Sequence, residues 1–301
     1  MLALGPVVLQ ASTIFDRYWN SRWVRPLSRL AAAGADEAPS AAHERAMAQL
    51  ASDPRARQVL AGLQSWAADL ASLPGSLLPG RGVVHADAPA RDPGTHNQTP
   101  VAFHALLRSA TREVLITNAY VIPDDGFITE LSRLTARGVR VRLLTNSLAS
   151  HDVPAVNSHY ERWRGPLVEA GVELHELRAD AAIRRDVVDT APVQGQFVGL
   201  HTKAMVIDGR RSFIGSMNLD PRSEEINSEM GIVIDSEPLA QALAAYMAHD
   251  MTGANSWRVE RDGAGGLRWV SDAGTLTRQP ARNAWQRVEN LLFKLLPPRL
   301  Y

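Results

Sequence analysis

The stretch HTKAMVIDGRRSFIGSMNLDPRSEEINSEMGIVID, His201 to Asp235, decides how the rest of the chain is read. Lys203–Ile207 (KAMVI) reads as a strand, Asp208-Gly209 as a tight turn, Ser212–Gly215 (SFIG) as the returning strand and Gly231–Ile234 (GIVI) as one strand more. On a strand, residues i and i+2 share a face, so His201 and Lys203 project side by side. The hairpin brings Ser216 and Asn218 back across from them, and an imidazole, an ammonium, a hydroxyl and an amide converge on one point. That set suits a phosphate. Histidine attacks phosphorus or protonates a leaving oxygen near neutral pH. Lys203, Ser216 and Asn218 can hold the non-bridging oxygens and stabilise charge that develops in the transition state. The cationic donors take the part a metal would play, so neither a metal nor a cofactor is expected. Asp208 is read as structural support, shaping the turn. Glu229, just ahead of the last strand, is placed to bond the far nitrogen of His201 and raise its basicity. Glu224 and Glu225 are read as solvated.

Outward from this stretch the chain alternates strands and helices. Glu113–Ala119 (EVLITNA) is a strand, Phe127–Ala136 a helix entered through the turn at Pro123–Gly126, Val139–Thr145 a strand, Tyr160–Ala170 a helix and Val172–Leu177 a strand. Pro238–His249 is a further helix. This alternation implies an α/β fold, a mixed β-sheet flanked by helices. Tyr120, Asn146 and His151 follow strand ends, where such folds place ligand loops, and are candidates for the pocket. Near the N-terminus, Met1–Leu9 reads as an apolar strand or buried loop, and Phe15, Tyr18, Trp19 and Trp23 as the core-facing stripe of a helix. Residues 34–82 are Ala-rich and read as a helical insert of two helices divided at Asp53-Pro54. In the last fifty residues Trp257, Trp269, Trp285 and Leu291–Leu296 read as core or, in the other reading, as a bilayer-surface patch.

Composition narrows the chemistry. The 301 residues carry 32 Lys+Arg against 32 Asp+Glu and no cysteine. Disulfides, zinc–thiolate sites and thiol catalysis are excluded. The neutral balance argues against a general nucleic-acid binder, which needs a basic surplus to neutralise phosphates. Lysine occurs only at 203 and 294 in a chain otherwise based on arginine, and one of the two stands beside His201. No apolar run approaches the roughly 20 residues of a membrane span.

The full spacing, His-x-Lys, four residues, Asp, then Gly-Ser-x-Asn, resembles the phospholipase D superfamily and, more narrowly, its cardiolipin synthase-like, phosphatidyltransferase-like bacterial branch. EVLITNAYVIPDDG with GVRVRLLTNSLASHDV, FDRYWNS and ANSWRVE are similar to flanking segments of that branch. The resemblance implies a phospholipase D-like α-β-α sandwich and metal-free, ping-pong phosphatidyl transfer or phosphodiester hydrolysis on phospholipids through a phosphohistidine. It gives His201 as nucleophile or acid/base, Lys203, Ser216 and Asn218 as phosphate ligands, and Glu229 as the acid supporting the histidine. It also implies a cytoplasmic enzyme held peripherally at the bacterial inner membrane. The family uses two His-x-Lys motifs. Here Lys294 has Leu292 two positions before it, so a second motif has no lysine to build on. The expected organisation is therefore a remnant linker of a missing N-terminal half at 1–33, the insert at 34–82, a catalytic half at 83–253 and an extension at 254–301. The missing half would come in cis or in trans, or be replaced by a second copy in a homodimer. Two departures stand out: Asn118-Ala119-Tyr120 where Ser-Pro-Tyr is expected, and Arg91 where lysine is frequent. The competing readings are a nucleic-acid phosphodiesterase and a truncated or partner half, incomplete for catalysis.

Overall fold

Runs rich in β-branched residues and leucine become ten strands among the described residues. The structure is a computed structural model that describes residues 2–26, 29, 39–63, 66–88, 97–188, 195 and 197–295. Four helices come first: α1 (Pro6–Trp19), α2 (Pro39–Ser52), α3 (Pro54–Leu63) and α4 (Trp66–Ser76). Then follow β1 (Arg81–Ala86), α5 (Gln98–Arg108), β2 (Glu113–Asn118), α6 (Asp125–Ala136), β3 (Arg140–Asn146), α7 (Pro154–Tyr160), α8 (Arg164–Glu169) and β4 (Glu173–Leu177). A short α9 (Arg184–Val187) precedes β5 (Lys203–Ile207), β6 (Arg211–Gly215), a π-helical turn at Arg222–Ile226 and β7 (Met230–Asp235). The chain ends in α10 (Glu237–Asp250), β8 (Ser256–Arg261), β9 (Leu267–Ser271), β10 (Gly274–Leu276) and α11 (Ala284–Phe293).

The strands form one mixed sheet in the order β1-β7-β6-β5-β2-β3-β4-β8-β9-β10. Only β2, β3 and β4 run parallel to one another; every other pairing is antiparallel. The two-residue period of β2 divides its side chains between two cores. Val114 and Ile116 join Phe103, Leu107, Leu131, Leu143, Leu167, Leu174, Met205 and Phe213 on one side, under α5, α6 and α8. Leu115 and Val206 meet Ala240 and Met247 of α10 on the other. Burying each such leucine or isoleucine stabilises the fold by about 1.5–3 kcal/mol, and the result is a three-layer α-β-α arrangement.

Local signals act where expected. Asp124 caps α6 by accepting from the Phe127 amide at 2.7 Å, and Gly138 ends the helix with φ +82°. Asp208 and Gly209 take φ +55° and +66°, the left-handed pair of a tight turn closed by the Arg210 amide on the Ile207 carbonyl at 3.0 Å. Pro54 opens α3 directly after α2.

Three expectations are corrected. The start of the chain is not a strand or buried loop: Pro6 opens α1, and Leu2, Leu4, Val8 and Leu9 are exposed. Phe15, Trp19 and Trp23 do not face the core; they too are exposed, with Phe15 stacked on Trp19 at 5.6 Å. α1 instead grips the sheet with polar groups. Gln10 donates to the Gly82 carbonyl (3.2 Å) and accepts from the Val84 amide (3.0 Å), partnering edge strand β1, while the Tyr18 hydroxyl donates to the Asp87 carbonyl at 2.7 Å. Third, the helix expected over Tyr160–Ala170 is broken: Tyr160 ends α7, a 3-10 turn follows at Glu161–Trp163, and only Arg164–Glu169 forms α8.

Candidate active site

The C-terminal ends of β1, β2, β3 and β6 and the N-terminal ends of β5 and β7 lie along one edge of the sheet. In α/β folds that edge collects ligand loops, and here it collects the sequence's candidates. His201 is exposed just before β5, and Lys203 opens β5 with its stem buried. The Lys203 ammonium donates to the His201 carbonyl at 2.9 Å and stands 3.3 and 3.4 Å from the two ring nitrogens. It also lies 5.7 Å from the centre of the Tyr120 ring, which meets the His201 ring edge-on at 6.4 Å. Burial pulls the Lys203 ammonium below the usual lysine range, while the negative field of Glu229, Asp152 and Asp220 works to keep it charged.

The approach to His201 is fixed from β3. The buried Asn146 amide donates to the Leu200 carbonyl (2.9 Å) and accepts from the Leu200 amide (2.8 Å), holding the residue ahead of the histidine at both backbone groups. The sequence placed Asn146 in the pocket loop; the structure makes it a clamp on that segment. His151 is fully buried and stacks on Tyr120 at 5.2 Å. Burial lowers its basicity, and its Nδ1 accepts from the Val153 amide at 3.2 Å. The Tyr120 hydroxyl donates to Asp152 at 3.0 Å; burial first, and then Asp152, pushes the phenol up to about 12.

Ser216 and Glu229 form a second pair. The Ser216 hydroxyl donates to the Glu229 carboxylate and its oxygen accepts from the Met230 amide at 3.0 Å. Asn227 donates to the other Glu229 oxygen at 3.0 Å. Among the described residues no hydrogen bond joins Glu229 to His201; β6–β7 pairing sets Glu229 beside Ser216. Asn218 lies in the same loop, and its buried Oδ1 has no hydrogen-bond partner among the described residues. Asp208 is at the opposite end of β5, where its carboxylate accepts from the backbone amides of Thr111, Arg112 and Glu113.

Several supports went unread. Asn118 donates to the Met217 carbonyl (3.2 Å) and accepts from the Tyr120 and Leu219 amides, lacing the end of β2 to the Ser216–Leu219 loop. Its signal was the departure from Ser-Pro-Tyr. Asp87 accepts from the Glu229 amide (2.8 Å) and the Thr99 amide (2.9 Å), which seats Glu229 from across the sheet edge. Asp152 and Asp220 supply negative field at Lys203. Asp152 stands in the strand-end loop that the sequence marks for ligands, whereas Asp220 is an ordinary loop acid in sequence. Arg91 lies outside the described residues.

Residues 103–251 match the family described as cardiolipin synthase, PLD-like domain. Over 99% of its length the chain is 32% identical to cardiolipin synthase C of Escherichia coli K12, and it spans 64% of that protein, a little under two thirds. It is 32% identical to E. coli cardiolipin synthase B over 46% of this chain and 29% of that one. Among solved structures, Nuc of Salmonella typhimurium, a phospholipase D family member, superposes with a TM-score of 0.43 at 17% identity, covering 60% of this chain and 99% of that one. Residues 103–251 of this chain belong to the cardiolipin synthase-like branch of the phospholipase D superfamily.

Proposed function

We propose that this chain supplies one His-x-Lys half of a site that transfers or hydrolyses the phosphodiester of a phospholipid through a phosphohistidine on His201. The observation that carries it is the pair itself: an exposed imidazole with a buried-stem ammonium 3.3 Å from its ring, at the sheet edge of a cardiolipin synthase-like chain. A ring nitrogen of His201 attacks phosphorus and the headgroup alcohol leaves with a proton. The hydroxyl of a second lipid or polyol, or water, then attacks the same phosphorus, gives up its proton and frees the ring. Lys203, Ser216 and Asn218 hold the non-bridging oxygens, with Ser216 oriented by Glu229. The acid for the leaving alcohol comes from the histidine of a second His-x-Lys motif, and the other lysine of this sequence, Lys294, has Leu292 two positions before it. The complete enzyme thus pairs this half with another, joined to it, separate from it, or a second copy, and works peripherally at a bilayer.

Mass spectrometry of phosphatidylglycerol incubated with the chain tests this, alone and together with the part of E. coli cardiolipin synthase C that this chain does not span. Cardiolipin or phosphatidic acid is expected from the paired sample and, with an acid-labile adduct on His201, is lost in His201→Ala. Product unaffected by that substitution would refute the assignment.

A further inference from the structure

Helix α11 is turned inside out. Its covered positions are polar: Gln286 and Asn290 are each 3% exposed. Gln286 donates to the Leu148 carbonyl at 2.6 Å, and Asn290 accepts from Asn157 (2.7 Å) and donates to Glu161 (3.0 Å). Its outward positions are apolar. Trp285, Leu291 and Leu295 are 64%, 62% and 83% exposed, with Val288 and Leu292 exposed between them. At 3.6 residues per turn, 285, 288, 292 and 295 form one stripe with 291 beside it. The Leu295 amide still donates to the Leu292 carbonyl at 3.1 Å, so the stripe continues past the end of the helix. A helix on a water-facing surface has the reverse polarity, and a contiguous apolar face of this kind marks a place where another apolar medium sits.

Two observations identify the medium. The first is charge. The chain balances 32 bases against 32 acids, yet residues 278–295 hold Arg278, Arg282, Arg287 and Lys294 against Glu289 alone. Lys294 pairs with Glu161 and Arg282 is stacked on Phe197 at 3.8 Å, which leaves Arg278 and Arg287 as exposed cations near the apolar stripe. Leucine and tryptophan rimmed by arginine is the composition of a helix lying in an anionic lipid interface. The second is position. Arg282 donates to the His151 carbonyl (3.3 Å) and Gln286 to the Leu148 carbonyl, so α11 is fastened to the loop whose His151 stacks on Tyr120 beside His201. Among the described residues no helix is long and apolar enough to cross a membrane.

We propose that α11 lies in the surface of an anionic phospholipid bilayer, with Trp285, Val288, Leu291, Leu292 and Leu295 in the acyl boundary and Arg278 and Arg287 among the headgroups. The bilayer would then present its lipids to the His201 edge through the adjoining loop. The occupant rests on the phospholipid reading above.

Sedimentation of the full chain with vesicles tests it, using phosphatidylglycerol–phosphatidylcholine (1:1) and phosphatidylcholine alone. The wild type is expected to favour the anionic vesicles, the Leu291→Gln/Leu295→Gln variant to bind them at least about tenfold more weakly, and Phe15→Ser/Trp19→Ser on α1 to bind as wild type. Undiminished binding by the α11 variant, loss confined to the α1 variant, or no vesicle binding by the wild type would overturn the proposal. So would a wild-type dimer that the α11 variant makes monomeric, because the face would then belong to a second copy. Turnover of dispersed short-chain phosphatidylglycerol, measured separately in the paired sample, keeps the two ideas apart. Turnover with α11-independent vesicle binding removes the seating helix and leaves the enzyme. α11-dependent binding without turnover supports the helix and removes the enzyme.

Discussion

The Asn146 side chain uses its oxygen and its nitrogen on the same backbone unit, the amide and carbonyl of Leu200. Replacing it with alanine leaves both groups without that partner in a buried place. Urea unfolding of Asn146→Ala should show a loss of about 1–3 kcal/mol. Turnover in the paired assembly should fall about ten- to a hundredfold, because His201 loses its fixed approach. Lys203 behaves in the opposite way. Its folded pKa is below the unfolded value of 10.5, with burial as the main cause. Below the folded pKa the ammonium is charged in both states and burial costs stability. Stability attributable to it rises as pH climbs from the lowered pKa toward 10.5. Lys203→Met should therefore unfold at the same or a higher temperature while losing at least about a hundredfold in turnover. A melting curve and a rate on one sample check both halves of that statement.

At the scale of elements, the π-helical turn Arg222–Ile226 lies between Asn218 and Glu229 and is tied to α5 by Asn97, which donates to the Glu224 carbonyl at 2.7 Å, and by a histidine. His104 of α5 bonds Glu130 of α6 at 2.7 Å and stands 3.7 Å from Glu224 of the π turn. Burial opposes its charge, but hydrogen bonds and attraction from Glu130 and Glu224 win and raise it from 6.5 to about 9. A raised folded pKa contributes stability that is complete below pH 6.5 and lost as pH rises through about 9. Urea unfolding should lose at most about 3 kcal/mol across that window, and His104→Gln should flatten the dependence. The sequence reading that Glu224 is solvated missed this link, since Glu224 and His104 are 120 residues apart and only α5 packing brings them together. The neighbouring elements were plain in sequence because their signals are local: Asp124 as a cap, Gly138 as a stop, Asp208-Gly209 as a turn.

Across the whole molecule, the stretch read as an extension is continuous with the catalytic sheet. β8 pairs with β4 and carries β9 and β10 onward. Beneath this junction Glu176 of β4 is completely buried and accepts from Arg164 (2.5 Å), the Tyr160 hydroxyl (3.0 Å) and the Trp269 indole of β9 (2.8 Å). Arg164 also donates to Gln279 and Asn157, which joins α7, α8, β4, β9 and the approach to α11 in one polar core. Arg164→Met would leave Glu176 buried without its cation. It should destabilise the protein by about 3–5 kcal/mol in denaturant unfolding and lower the melting temperature of the entire chain in one transition. Two transitions, with the catalytic part unaffected, would show that the final fifty residues fold separately.

By itself the sequence determined the family motif, the alternation of strands and helices, the hairpin at Asp208-Gly209 and the presence of a single His-x-Lys. These are written in neighbouring residues, where periodicity, turn geometry and spacing act over a few positions. Only the tertiary structure decided that Glu229 partners Ser216 rather than His201, that Asn146 clamps Leu200, that Phe15 and Trp19 face outward and that α11 turns its leucines away from the protein. An amphipathic pattern separates two faces of a helix but does not say which is covered. A carboxylate's partner depends on strand register and on loops that meet from distant parts of the chain.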